Sequence, residues 1–192
     1  MPDLPGVPRP LYGFRLWLAW TALSGLGYAL GALVKPGLPG AAAISGRTAW
    51  FIALVVLGAA QGLLVGFLQA AVLRRSLLVP VFSPCSWILL TVLATALAYA
   101  VSGAVPAAGQ SLLLRLAAAG LQAALFAALQ WLELRRGLPG AAGWILPYAA
   151  AYLLWNLWAG LSGAPETTMS LLLLGFAVST LTGGYLAFRL HD

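Results

Sequence analysis

Six apolar stretches, each about as long as a membrane span, constrain the fold of this chain more than any other feature. They cover residues 13–34, 48–73, 86–105, 111–134, 141–161 and 168–189. A helix needs about 20 apolar residues to cross roughly 30 Å of hydrocarbon. Proline and glycine lie between the stretches, where they end helices because proline lacks an N–H and glycine tolerates a left-handed turn. The pattern predicts an all-α membrane protein with six transmembrane helices.

The composition supports a membrane environment. Of the 192 residues, 62% are hydrophobic and only 7% are charged, which is too apolar for a soluble domain or a disordered chain. We therefore expect a single membrane domain over residues 1–192, with the lipid bilayer as its partner. The net charge of +6 does not indicate nucleic-acid binding, because the cations are scattered at the ends of the apolar stretches. Nine of the ten cations are arginine, which is typical of a GC-rich bacterial gene.

The cations also predict the orientation. With the N-terminus inside, seven cations lie on the inner side: Arg9, Arg15, Arg74, Arg75, Arg135, Arg136 and Arg189. Three lie on the outer side: Lys35, Arg47 and Arg115. Cytoplasmic loops carry the excess of Lys and Arg in membrane proteins. Both termini are therefore predicted to be cytoplasmic, in a multi-pass protein of the cytoplasmic (inner) membrane.

Tryptophans near the ends of the stretches indicate an aromatic belt at each membrane interface. The predicted outer belt holds Trp50, Trp155 and Trp158. The predicted inner belt holds Trp17, Trp87, Trp131 and Trp144.

Small residues recur at every fourth position in the second, fourth and sixth stretches. The three stripes are Gly58, Gly62 and Gly66, then Ala119, Ala123 and Ala127, then Gly175, Ser179 and Gly183. Small residues at this spacing let helix backbones touch in a membrane. The recurrence predicts three tandem two-helix repeats at about residues 11–75, 82–136 and 140–192.

Other residues repeat in the same register. Gln61, Gln69 and Arg74-Arg75 are matched, 61 residues later, by Gln122, Gln130 and Arg135-Arg136. Trp87-Ile-Leu and Trp144-Ile-Leu open the third and fifth stretches, with Trp17 as a looser third copy. Two-helix units all enter the membrane in the same sense, so they are related by an axis along the membrane normal. We expect a pseudo-threefold bundle with the second, fourth and sixth helices packed at the centre on their small stripes.

Amide and hydroxyl side chains inside the stretches are the candidate ligand-binding groups, since polar groups in lipid need a partner. They either bond one another between helices or line a small cavity that binds a polar group of a ligand. The set is Gln61, Gln69, Gln122 and Gln130, with Tyr148, Tyr152 and Asn156 in the fifth stretch. Pro147 is expected to bend that fifth helix.

Ionisable groups are confined to loops and to the ends of the stretches. They are His191 and the acids Asp3, Glu133, Glu166 and Asp192. Glu133 and Arg136 are interpreted as a surface ion pair, and the single cysteine, Cys85, as a loop residue. Without a base or a ligand cluster inside the stretches, we expect no enzymatic activity, no metal site and no cofactor.

The Gly-x-x-Gln…Leu-Arg-Arg…Trp register resembles a loose group of uncharacterised bacterial six-span membrane proteins. Those proteins repeat Gly-x-x-Gln-Trp-x-x-Leu-Arg and follow it with a Trp-led helix rich in glycine. The match covers residues 69–75 and 130–144 best; Gln130-Trp131 keeps the dipeptide, whereas Gln69-Ala70 departs from it. The group has no assigned activity, so the resemblance implies a topology alone.

In size and helix count the chain is also similar to the substrate-binding components of energy-coupling-factor vitamin transporters. Those proteins dock to a partner through small-residue helix faces, for which Gly27-x-x-x-Gly31 is a candidate. Two functions are therefore compared. The leading one is an accessory or scaffold subunit working with other membrane-protein subunits, or a protein that holds an apolar ligand such as a lipid, quinone or pigment. The alternative is a substrate-binding component of a small-solute (vitamin-type) transporter.

Overall fold

Six α-helices account for most of the chain in a computed structural model that describes residues 11–34, 39–76, 82–104, 111–162 and 168–190. They are α1 (Gly13–Val34), α2 (Pro39–Leu73), α3 (Pro84–Ala104), α4 (Leu112–Leu134), α5 (Ile145–Ser162) and α6 (Thr168–Arg189). A short 3₁₀ helix, Ala141–Trp144, leads into α5, and these described ranges contain no β-strand. The all-α prediction is confirmed.

The one large departure from the predicted helix bounds is the start of α2, at Pro39 instead of residue 48. Gly46 interrupts this helix with a φ of 78° and a ψ of 168°, a conformation that glycine adopts readily because it has no Cβ. The part of α2 that follows, Gly46–Leu73, corresponds to the predicted stretch.

Four helical segments among the described residues are long and apolar enough to cross a membrane: Gly46–Leu73, Pro84–Ala104, Leu112–Leu134 and Leu172–Arg189. Large apolar side chains are also exposed on the two remaining helices, for example Leu26 on α1 and Leu154 on α5. Acyl chains solvate such a surface, whereas water would drive it to aggregate. The chain is a membrane protein by these criteria.

The helices form a closed ring. Each helix packs against its neighbours in the chain, and α6 closes the ring by packing along α1. The most extensive contacts are those of α2 with α3, α1 with α6, and α4 with α5, in which an even helix meets the odd helix of the next predicted repeat. In the described residues, the backbones of α2, α4 and α6 do not pack extensively against one another. The predicted central packing of these three helices is therefore wrong.

The glycine stripe of α2 turns sideways instead, onto α3. A Cβ added to Gly62 would lie 2.7 Å from the Cα of Val92, and one added to Gly58 would lie 2.8 Å from the carbonyl oxygen of Thr95. Gly66 approaches Ile88 in the same way, with its Cβ position 3.1 Å from that Cα. A small stripe lets one partner backbone approach closely, and in the ring that partner is the adjacent helix.

The stripe of α6 packs on α1 in the same manner. A Cβ on Gly183 would lie 2.8 Å from Cδ1 of Trp20, and one on Gly175 would lie 2.5 Å from the Cβ of Tyr28. Between them, the carbonyl oxygen of Ser179 accepts a hydrogen bond from Thr21. The third stripe, on α4, is buried as well: Ala119, Ala123 and Ala127.

The proposed docking face on α1 is occupied within the protein. A Cβ on Gly27 would lie 2.8 Å from a methyl carbon of Val65, and Gly31 lies directly against the side chain of Gln61. Both contacts belong to the α1–α2 interface, so the prediction that this face docks a partner is wrong.

Several residues used in the sequence argument lie outside the described residues. They are the cations Arg9 and Lys35, the acids Asp3, Glu166 and Asp192, and His191.

Candidate functional site

Side chains spaced four residues apart form a column on the buried face of each helix. On the odd helices and the 3₁₀ helix they are Trp20, Ser24 and Tyr28, then Trp87, Thr91 and Thr95, then Trp144, Tyr148 and Tyr152. On the even helices they are Gln61, Val65 and Gln69, then Gln122, Phe126 and Gln130, then Val178, Thr182 and Leu186. All of them are buried except Gln122 and Tyr152, which are half-buried. The buried columns inside the ring therefore carry aromatic, aliphatic, amide and hydroxyl side chains.

Three tryptophans meet at one level of this interior. The ring centroids of Trp20 and Trp87 are 6.1 Å apart, those of Trp20 and Trp144 are 5.8 Å apart, and those of Trp87 and Trp144 are 6.4 Å apart. The rings are inclined by 67–81°, the edge-to-face arrangement that aromatic quadrupoles favour. Each of the three side chains is 0% exposed. We call this group the tryptophan triangle.

The triangle corrects two predictions. Trp87 and Trp144 do not belong to an aromatic belt, since they lie in the core. The tryptophan of α1 that meets Trp87 and Trp144 is Trp20, whereas Trp17, the predicted third copy, is half-buried and donates to the carbonyl oxygen of Thr180 (3.2 Å). The sequence does not separate the two candidates on α1, because Trp17 and Trp20 are each followed, four residues on, by a hydroxyl-bearing residue, Thr21 and Ser24.

An amide network lies next to the triangle. Oε1 of Gln69 accepts hydrogen bonds from the indole N–H of Trp87 (3.2 Å) and from Nε2 of Gln130 (3.1 Å). Nε2 of Gln130 also donates to the hydroxyl of Thr91 (3.0 Å), and its Oε1 accepts from the hydroxyl of Tyr148 (2.9 Å). The two glutamines that the repeat aligned therefore bond each other, and the network joins α2, α3, α4 and α5.

The residues of the third predicted repeat make different contacts. At the level of Gln69 and Gln130, α6 carries the buried Leu186, and the indole N–H of Trp20 donates to Thr182 one turn away (2.9 Å). Gln130 does not bond Trp144, whose Nε1 has no partner in the described part of the chain. Tyr148 is longer than Ser24 and Thr91, which follow the other two tryptophans at the same spacing. Its hydroxyl, and not the Trp144 indole, donates to Oε1 of Gln130.

The other predicted site residues lie apart from this network. Gln61 donates to the backbone carbonyl of Tyr28 (3.4 Å) and accepts from the hydroxyl of Tyr99. Gln122 donates to Ser102 across the α3–α4 interface (2.9 Å).

Within α5, Asn156 donates to the carbonyl oxygen of Tyr152, one turn earlier (2.9 Å). The structure thus joins Gln69, Gln130 and Tyr148 and separates the other four candidates. Ligand binding by these residues stays a prediction. Pro147 lies in the first turn of α5, where N–H groups lack intrahelical partners in any case, so its position does not require a bend.

Glu133 is a buried cap and not a surface charge. Its side chain is 1% exposed, against 58% for Arg136, which donates to Oε2 (2.9 Å). Oε1 accepts from the backbone N–H of Ser83 and Oε2 accepts from the hydroxyl of Ser86, both at 2.8 Å. These two serines flank the N-terminus of α3, where a carboxylate is stabilised by the helix dipole. The surface-pair interpretation is wrong because the carboxylate binds a second helix.

Replacement of Gln130 by leucine should lower the free energy of unfolding by about 2 kcal/mol, since three hydrogen bonds are lost and two buried hydroxyls lose a partner. Replacement of Gln122 by leucine removes one bond at a half-buried site and should cost about 0.6 kcal/mol. Thermal unfolding in one detergent compares the two variants. Equal losses would contradict the network's role.

Among the described residues, no group of three or more His, Cys, Asp or Glu side chains could hold a metal ion. Compared with protein-family models, curated proteins and solved structures, the chain matches none of them.

Proposed function

We propose that this chain is a non-enzymatic accessory or scaffold subunit of a complex in the cytoplasmic membrane. In this proposal all six helices span the bilayer as three tandem repeats, and both termini are cytoplasmic. The single observation that supports a scaffold best is the tryptophan triangle. Its three indole side chains meet inside the ring of helices and close it at one level. A protein that moved a solute along this axis would have to open that level.

The polar groups beside the triangle favour the same function. Gln130 uses both amide hydrogens and its carbonyl oxygen within the protein, and Gln69 accepts two bonds. Groups engaged in this way hold helices together and have little capacity left for a solute. Glu133, the one carboxylate in the described ranges, is likewise engaged by three donors, which supports a non-enzymatic function.

The orientation can be tested with the natural cysteine. Cys85 is exposed at the start of α3, on the side proposed to be cytoplasmic. A membrane-impermeant maleimide should label it in inverted vesicles and not in intact cells. As a matched control, Arg47→Cys in a Cys85→Ser background places an exposed cysteine at the opposite end of the bundle, and it should label only from outside. The reverse pattern would invert the proposed topology.

The scaffold function is tested against solute binding by a buried cysteine. Val65 is 0% exposed on the buried side of α2, where it packs against Gly27 of α1, and Val65→Cys in the Cys85→Ser background changes its volume little. A water-soluble thiosulfonate should leave this cysteine unmodified from both sides, while Arg47→Cys reacts. Modification of Val65→Cys would favour the solute-binding alternative.

A scaffold also has a partner. Purification in a mild detergent should yield a second membrane protein at a fixed ratio by native mass spectrometry. A chain that is isolated alone, with a reactive cysteine at position 65, would contradict the proposal.

A further inference from the structure

Six exposed arginines lie at the same end of the ring. Contacts between helix ends define this end. The backbone N–H of Leu11, before α1, donates to the carbonyl oxygen of Arg75, after α2 (2.5 Å). Ser83, before α3, donates to Glu133 near the end of α4, and the end of α6 contacts the loop before α5. The tryptophan triangle brings these three pairs of helices to one level. We call this the basic end, and its arginines are Arg15, Arg74, Arg75, Arg135, Arg136 and Arg189.

Little negative charge offsets these arginines. Glu133 is the one acid in the described ranges, and its carboxylate is 1% exposed and paired with Arg136. Even the four acids of the whole sequence together could not neutralise six arginines. The opposite end holds two cations among the residues that the structure describes, Arg47 and Arg115. The basic end therefore presents net positive charge at the level where a membrane protein meets lipid headgroups.

Arg189 is held in place by α6 and by the loop before α5. Its Cζ lies 5.9 Å from the ring centroid of Tyr185, one turn earlier on α6. The hydroxyl of Tyr185 donates to the carbonyl oxygen of Gly140 (2.8 Å), and a Cβ added to Gly140 would lie 2.7 Å from a guanidinium nitrogen of Arg189. The missing Cβ thus makes room for the guanidinium. A guanidinium that stacks on an aromatic ring can still bind a phosphate through the N–H groups of its edge.

We propose that the basic end binds the headgroup of an anionic phospholipid, and that Arg189 is part of this site. A lipid is favoured over an acidic protein segment because exposed apolar side chains adjoin the cation. Phe188, the preceding residue, is 67% exposed, and Leu146 in the first turn of α5 is 71% exposed. A phospholipid joins a phosphate to acyl chains, which matches a cation beside an apolar surface. The proposal goes beyond the scaffold function and requires no particular partner subunit.

Native mass spectrometry of the whole chain tests the site, with titrations of dioleoylphosphatidylglycerol and dioleoylphosphatidylcholine in one detergent. The two lipids share their acyl chains and differ in net charge, so the wild-type protein should bind phosphatidylglycerol more tightly. Arg189→Gln should weaken that binding about 5-fold, the contribution of one cation near an anionic surface. Arg74→Gln/Arg135→Gln/Arg189→Gln should abolish the preference. Equal binding of both lipids by the wild-type protein would overturn the proposal.

Arg47→Gln is the matched control, because it removes an exposed arginine at the opposite end. It should bind phosphatidylglycerol as the wild-type protein does. Arg189→Lys keeps the charge and should retain most of the binding. Equal losses in Arg47→Gln and Arg189→Gln would show that the lipid senses only the net charge of the protein, and the site at the basic end would be refuted. An unchanged Tm of Arg189→Gln verifies that the fold is intact.

Salt and a soluble anion complete the test. Raising the ionic strength from about 0.1 M to about 1 M shortens the Debye length from about 10 Å to about 3 Å, so the preference for phosphatidylglycerol should shrink. A polyglutamate peptide has no acyl chains, so it should bind the protein more weakly than phosphatidylglycerol does. Tighter binding of the peptide would mark the basic end as a docking surface for an acidic protein, and the lipid proposal would be wrong.

Discussion

Replacement of Gly62 by leucine is expected to leave no stably folded protein. The Cβ of any residue at this position would lie 2.7 Å from the Cα of Val92 and 2.8 Å from the carbonyl oxygen of Thr91. Both are backbone atoms, so no rotamer change can relieve the clash, and α2 must move away from α3 along the most extensive interface of the ring. Overpacking by a single methylene costs about 1–3 kcal/mol, and leucine adds four carbon atoms.

The alanine variants give a graded test. Gly62→Ala should lower the free energy of unfolding by about 3 kcal/mol, measured as a Tm decrease of about 6–12 °C. Gly120→Ala on α4 is the matched control, because its Cβ would meet only a side-chain carbon of Leu153 at 4.0 Å. That variant should be neutral or more stable by up to about 1 kcal/mol, since alanine is the better helix former. Similar Tm values for the two variants would show that α2 and α3 do not pack through this stripe.

Loss of the Glu133 carboxylate is expected to have the second-largest effect. Glu133→Ala removes two part-buried, charge-assisted hydrogen bonds to the start of α3 and leaves the backbone N–H of Ser83 and the hydroxyl of Ser86 without this acceptor. Hydrogen bonds to charged groups contribute about 1.5–3 kcal/mol each. We expect a loss of about 3 kcal/mol in unfolding free energy, seen as a lower Tm and earlier proteolysis near the start of α3.

Arg136→Ala separates the helix cap from the ion pair. The Arg136 side chain is 58% exposed, and exposed ion pairs contribute about 0.2–1 kcal/mol. This variant should therefore lose much less stability than Glu133→Ala. If the two variants were equally destabilised, the ion pair and not the cap would be the source of the stability.

The helices themselves were predictable from short-range pattern. Span-length apolar runs ended by proline and glycine place α1 and α6 at the predicted bounds, 13–34 and 168–189. The start of α2 was not predictable, because Gly46 lets a second helical segment continue from Pro39 in a backbone conformation that composition does not reveal.

The polar interior was predictable in part. The 61-residue offset picked out Gln69 and Gln130, and the structure brings these two glutamines into direct contact. The same logic missed Trp20, because Trp17 is also a tryptophan near the start of α1 and the wrong one was aligned. Glu133 was misread because spacing along one helix shows Arg136 nearby but cannot show Ser83 and Ser86 arriving from another helix.

What the sequence determined by itself was the set of helices, their apolar surface and the faces that carry glycine or glutamine, because these follow from local composition and a 3.6-residue period. Which helix each face meets was decided only in three dimensions. A glycine stripe such as that of Gly62 could pack against the backbone of any neighbouring helix. In the ring it packs against α3, while Gln69 meets the tryptophan triangle through Trp87. Close packing selects among partners that are equivalent in sequence terms, and that selection depends on all six helices at once.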